Sequence, residues 1–112
     1  MKATVAHWDL SRSHQTIDTL RELLREEVVA EWAGVHGLRL KFWFADRERN
    51  LWGAVMLWES DADTTQPLPP NRAAELIGYP PTHRMEVEIE AAVEGRHTTP
   101  ALTGLGTALK PA

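Results

Sequence analysis

The alternation of apolar and polar positions changes period several times along the chain, and each change marks an element. From Lys2 to Leu10 the period is two. Ala3, Val5 and His7 alternate with Thr4, Ala6 and Trp8, which predicts a β-strand. The polar run Ser11-Arg12-Ser13 breaks it, and Ser13 is a candidate helix cap, its hydroxyl accepting a backbone N–H. From His14 to about Ala33 the period lengthens. Ile17, Leu20, Leu24 and Val28, joined by Leu23 and Trp32, form one apolar stripe, with Arg21, Glu22, Arg25, Glu26 and Glu27 opposite. This is the pattern of an amphipathic helix, ended by Gly34 or Gly37.

Alternation returns at Leu38. Leu38, Leu40, Phe42 and Phe44 point one way, and Arg39, Lys41 and Trp43 the other. After the charged turn Asp46 to Asn50, Leu51 to Glu59 sets Leu51, Gly53, Val55 and Leu57 against Trp52, Ala54, Met56 and Trp58. Two strands around a short polar turn make a hairpin, and the second is apolar on both sides, which predicts burial on both. Ser60 to Pro81 is irregular and carries five of the seven prolines. Inside it, Asn71 to Gly78 reads as a short helix with an Asn cap and a terminal Gly. From Thr82 to Val93, Met85, Val87, Ile89, Ala91 and Val93 alternate with Arg84, Glu86, Glu88, Glu90 and Glu94, the pattern of an edge strand. Gly95 to Ala112 shows no period and reads as a flexible tail or an arm laid on a partner.

The order is β-α-β-β-α-β. It predicts an α+β domain over residues 1–94 with a ferredoxin-like four-stranded antiparallel sheet and helices on one face. Such a sheet leaves its other face open. If that face carries Trp43, Trp52 and Trp58 with Met56, it is too apolar for water and calls for a second copy packed against it.

Composition narrows the possibilities. With 112 residues the chain suits one domain. A net charge of −4 without any Lys/Arg run argues against nucleic acid. No apolar run approaches the ~18 residues of a membrane span. The start MKATVAHWDL lacks the apolar stretch of a secretory leader, so the expectation is a cytoplasmic protein. Cysteine is absent, which excludes disulfides and thiol chemistry. Five of the eight aromatic residues are tryptophan, more than one small core requires, so a second buried surface or a ligand cavity is expected.

The order of elements, the segment from Gly37 to Phe44 (GLRLKFWF), the turn at Asp46 to Asn50 and the segment from Trp52 to Glu59 (WGAVMLWE) resemble the YdhR-like monooxygenases. These belong to the dimeric α+β barrel superfamily, beside the antibiotic-biosynthesis monooxygenases. The resemblance covers about Lys2 to Glu94 and is strongest from Gly34 to Glu59. It implies a homodimer with sheets packed face to face and a pocket between sheet and helices in each subunit. It also implies oxygenation of a hydrophobic, planar, polyketide-like molecule without metal, flavin or haem, the substrate itself reducing O₂. Other members of the superfamily are isomerases or degrade other molecules, so the fold does not choose the chemistry. The chain departs from the pattern in its shortened, proline-flanked second helix and its long tail.

Candidate chemistry rests on a few side chains. His7, on a central strand, is either a base facing the pocket or a structural or interface histidine. His83 is a weaker candidate for the pocket wall. Arg39 and Arg84 are placed to stabilise an enolate or peroxide anion, or else pair with Glu86 or Glu88. Trp43, Trp52, Met56 and Trp58 suit a planar ligand, or else pack a core or a dimer seam. Trp8 and Trp32 are placed to pack together. His7 and Asp9 sit two apart on one strand face, but no second ligand pair accompanies them, so no metal is expected. The alternatives to an oxygenase are a non-catalytic small-ligand-binding or stress-response protein and an isomerase or cyclase on the same scaffold.

Overall fold

The computed structural model describes residues 1–26, 29–63, 65–93 and 95–96. The strands are β1 (Lys2–Asp9), β2 (Leu38–Asp46), β3 (Leu51–Trp58) and β4 (His83–Glu88). Helix α1 spans Ile17–Glu26 and α2 spans Arg72–Ile77, and 3-10 turns cover Leu10–Arg12 and Val29–Gly34. The result is a small α+β domain whose four strands form one antiparallel sheet in the order β2-β3-β1-β4.

Helix α1 is shorter than the periodicity implied. It begins at Ile17 rather than His14, because Thr16 caps it: the Thr16 hydroxyl accepts the Thr19 N–H at 3.1 Å. Ser13 serves elsewhere. Its hydroxyl accepts from the Gln15 N–H and donates to the Ile77 carbonyl, tying the approach to α1 to the end of α2. The Trp32 part of the expected helix is a 3-10 segment, and residues 27 and 28, which include Val28 of the expected stripe, lie outside the described residues. Helix α2 forms as its sequence signals. The Asn71 side chain accepts the Ala74 N–H, and Gly78 closes it with φ of +96°.

Strand β4 stops at Glu88 instead of Val93. Among the described residues its one neighbour is β1, and Lys2 opposite Glu88 is the last residue of β1. Ile89 adds a final backbone bond to the Met1 carbonyl. The tail reading lies, from residue 97 on, outside the described residues.

The register sorts every strand residue onto one of two faces. Trp8 lies opposite Trp52, Ala6 opposite Ala54, Thr4 opposite Met56 and Lys2 opposite Trp58. Trp43 joins them opposite Ala54, and Lys41 opposite Met56. This face meets the helices. Trp8 and Trp52 pack with Ile17, Leu20, Leu23, Leu24, Ala73 and Ile77, while Trp58 packs with Trp32 and Val35 at the other end. Each buried indole removes ~200 Å² from water. At about 25 cal/mol per Å² that is roughly 5 kcal/mol apiece, which explains how two short helices hold the sheet.

The opposite face is open. Reading across β2, β3, β1 and β4, its rows are Leu40, Leu57, Ala3, Val87, then Phe42, Val55, Val5, Met85, then Phe44, Gly53, His7, His83. Phe42 is 47% exposed, Met85 44%, Leu40 40% and Val87 39%. The condition that Trp43, Trp52, Trp58 and Met56 lie on this face is therefore not met: they point at the helices. The open face is apolar for a different reason, supplied by Leu40, Phe42, Met85 and Val87. The β3 alternation could not choose between faces, because both of its sides are apolar.

Candidate functional site

The helix-side face is not uniformly covered. One cluster of buried residues gathers at the Trp8 and Trp52 end, the other at the Trp58 end. Between them Thr4, Ala6, Ala54 and Met56 are only half-buried although they lie on the two central strands. Ala6 and Ala54 are paired neighbours and have no side chain beyond Cβ, so the sheet floor is lowest there. The result is a half-exposed strip of small residues, with Trp43, packed against both clusters, beside Ala54 on β2 and Arg84 beside Ala6 on β4. Among the described residues no helix covers the β4 side, where Arg84, Glu86 and Glu88 are exposed.

At the Lys2 end a small cavity of about 30 Å³, room for one water-sized group, is lined by Lys2, Thr4, Trp58, Glu59, Ser60, Ala62 and Glu86. The Trp58 indole N–H donates to the Thr4 hydroxyl at 3.3 Å, and Lys2 pairs with Glu86 at 3.3 Å. On the β2 side, the Trp32 and Trp43 rings meet edge to face with centroids 6.4 Å apart. The Lys41 ammonium lies 3.1 Å from the Trp32 ring centre and 4.6 Å from that of Trp43. Trp32 thus packs against Trp43 and Trp58, not against Trp8 as expected; Trp8 belongs to the other cluster. Trp8 instead donates its indole N–H to the Tyr79 carbonyl at 2.9 Å.

The candidates divide between the two faces. Trp43, Met56 and Arg84 lie on the half-exposed part of the helix-side face, whereas Trp52 and Trp58 are buried at its two ends. His7 and His83 lie on the open face, paired across β1 and β4 with rings stacked at 5.2 Å. His7 therefore lies on the face opposite the tryptophans, because the strand alternation puts it and Trp8 on opposite sides; of its two readings, pocket base and structural or interface histidine, this position is that of the second. Its Nδ1 is buried without a hydrogen-bond partner among the described residues. Asp9, next along the same face, has its carboxyl held below the ordinary range by hydrogen bonds from Ser11. Arg39 falls at the irregularity between Leu38 and Leu40, and its partner is Glu59 at 2.7 Å rather than Glu86 or Glu88. Among the described residues no three His, Asp or Glu side chains gather as metal ligands, and no helix is long and apolar enough to cross a membrane.

Sequence reasoning put Lys41 on the same strand side as Trp43 but gave it no role. Its one available signal was its phase with Trp43. No protein-family model matches the chain, and the curated proteins contain no match to it.

Proposed function

We propose that this chain is a ferredoxin-like domain of the dimeric α+β barrel type, similar to the YdhR-like monooxygenases, which binds a planar apolar molecule in its helix-side cleft and oxygenates it without a cofactor. The observation that carries this reading is the half-exposed Ala6–Ala54 floor between two ends closed by buried indoles. Flat apolar walls with a few charges at the rim suit a fused aromatic ring system. The open sheet face goes to a second copy, because an apolar surface of this extent is complementary to itself under a two-fold axis.

In the proposed reaction an acidic C–H or O–H of the ligand is deprotonated and the resulting anion reduces O₂. For an anthrone the methylene carbon becomes a carbonyl, and the second oxygen atom leaves as water. Arg84, on the Ala6 row, stabilises the anion, and Glu86, on the Thr4 row, takes the proton. The test is oxygen uptake with anthrone, above its spontaneous rate. One O₂ is expected per anthrone converted to anthraquinone, with strong loss on Ala54→Trp, which fills the floor, and none on His7→Ala. No enzyme-dependent uptake overturns the oxygenase.

The second reading, a non-catalytic binding protein, is favoured by one observation: the stacked histidines face away from the cleft. Its signature is saturable binding lost in Ala54→Trp, without turnover. An isomerase or cyclase on this scaffold is recognised by a product of unchanged mass.

A further inference from the structure

His7 and His83 meet on the open sheet face although they stand far apart in the chain. They sit directly opposite one another on β1 and β4, with ring centres 5.2 Å apart and planes at 25°. Residues so paired have Cβ atoms about 4.5–5.5 Å apart and share a face. That spacing lets two imidazoles reach one ion, since a metal–nitrogen bond is about 2.0–2.1 Å long. Spacing along the chain pairs His7 with Asp9 instead, but the Asp9 carboxylate accepts the Ser11 N–H at 2.9 Å.

The surroundings give the pair no other task. The His7 Nδ1 is buried and has no hydrogen-bond partner among the described residues. A buried nitrogen in that state is unfavourable until a partner is supplied. On the β3 side His7 faces Gly53, against which the Phe44 ring packs. In the next row of the face stand Val5 and Met85. None of these offers a charge or a hydrogen-bonding side chain. Asp9, the next residue of β1 on the face, adds a negative charge about 6.5 Å along the strand. His83 is exposed on an edge strand, so its ring can turn until one nitrogen converges with one of His7, and water reaches the pair from the sheet margin.

We propose that His7 and His83 bind one divalent ion of the imidazole-preferring class, Zn²⁺, Cu²⁺ or Ni²⁺, with water in the remaining positions. Mg²⁺ and Ca²⁺, which take oxygen ligands, do not suit the pair. The ion cross-links β4 to β1, its one neighbour among the described residues, and so stabilises the sheet margin. Both protein ligands come from one chain, so the site does not depend on a second copy.

The experiment is calorimetric titration of the intact chain with ZnCl₂ at neutral pH. One ion is expected per chain. His7→Ala and His83→Ala should each lower the affinity at least about tenfold, because loss of even an outer-shell partner costs a metal site that much. His36→Ala should leave it unchanged, and MgCl₂ should give no heat of binding. Zn²⁺ should raise the melting temperature of the wild type and leave that of His83→Ala where it was. With Cu²⁺, electron paramagnetic resonance should show splitting from two nitrogen ligands in the wild type and from one in His83→Ala. Because His83 is exposed, its replacement is expected to leave the fold intact, which circular dichroism checks. No binding of Zn²⁺ by the wild type, or binding that survives undiminished in either His7→Ala or His83→Ala, overturns the proposal, as does binding lost in His36→Ala.

Discussion

Gly53 has room for a hydrogen and nothing larger. A Cβ there would fall on the Phe44 ring and on the Ala6 carbonyl oxygen, because Phe44 lies across β3 in the row that leads to His7. Gly53→Ala is expected to cost about 1–3 kcal/mol by overpacking, read as a lower urea midpoint at unchanged slope. Tyr79 works in the same local way. Its hydroxyl donates to the Asp9 carbonyl, its own carbonyl accepts from Trp8, and the Arg12 guanidinium lies 5.0 Å from its ring centre. The residue after the α2 cap Gly78 is thereby locked to the end of β1. Tyr79→Phe removes one of these hydrogen bonds and should lower stability by about 1 kcal/mol in the same assay.

The hairpin turn between β2 and β3 depends on a carboxylate. Asp46 accepts from the Arg49 side chain and from its backbone N–H, while Asn50 takes a positive φ of +54°. The Arg49 contacts hold the Asp46 carboxyl below its ordinary value of 3.8. Asp18, which links α1 to the same turn through Arg47, is lowered by that pairing. A group lowered on folding contributes stability above its unfolded value, and this is lost as pH falls through the lower folded value. The melting temperature is therefore expected to fall on acidification below pH 3.8. Asp46→Asn should make that fall shallower without changing its direction. Both sites are exposed, so the effect is small. If the acid slope of Asp46→Asn equals that of the wild type, the turn contacts contribute nothing in solution.

At the scale of the molecule, the open sheet face dominates. Fully burying a side chain such as Leu, Phe, Met or Val is worth about 1.5–3 kcal/mol. Leu40, Phe42, Met85 and Val87 remain 39–47% exposed, so a substantial part of that gain is unrealised in a single chain. The proposed dimer recovers it. Light scattering is expected to give twice the chain mass, and Phe42→Asp, at the most exposed large side chain of the face's β2 edge, should give monomers with the helix side and its ligand intact. A wild-type monomer would overturn the dimer. Because the cleft lies on the other side of the sheet, dimerisation and binding are separable, and each is measured without the other.

The order of strands and helices, the hairpin turn, the capped α2 and the edge character of β4 were legible along the chain. They follow from local periodicity and from cap and turn chemistry, which act over a few residues. Which tryptophans meet the helices was not legible. Alternation shows that Trp52, Ala54, Met56 and Trp58 share a side, but β3 is apolar on both sides, so only the packing of α1, α2 and the Trp32 segment selects the covered one. The same selection puts His7 on the face opposite the tryptophans and Lys41 on the same face as Trp43. Strand ends were likewise a tertiary matter, since β4 continues only as far as β1 supplies partners. The sequence by itself determined the elements and the sides each strand presents; the tertiary structure decided which side is inside, because that depends on contacts between residues far apart in the chain.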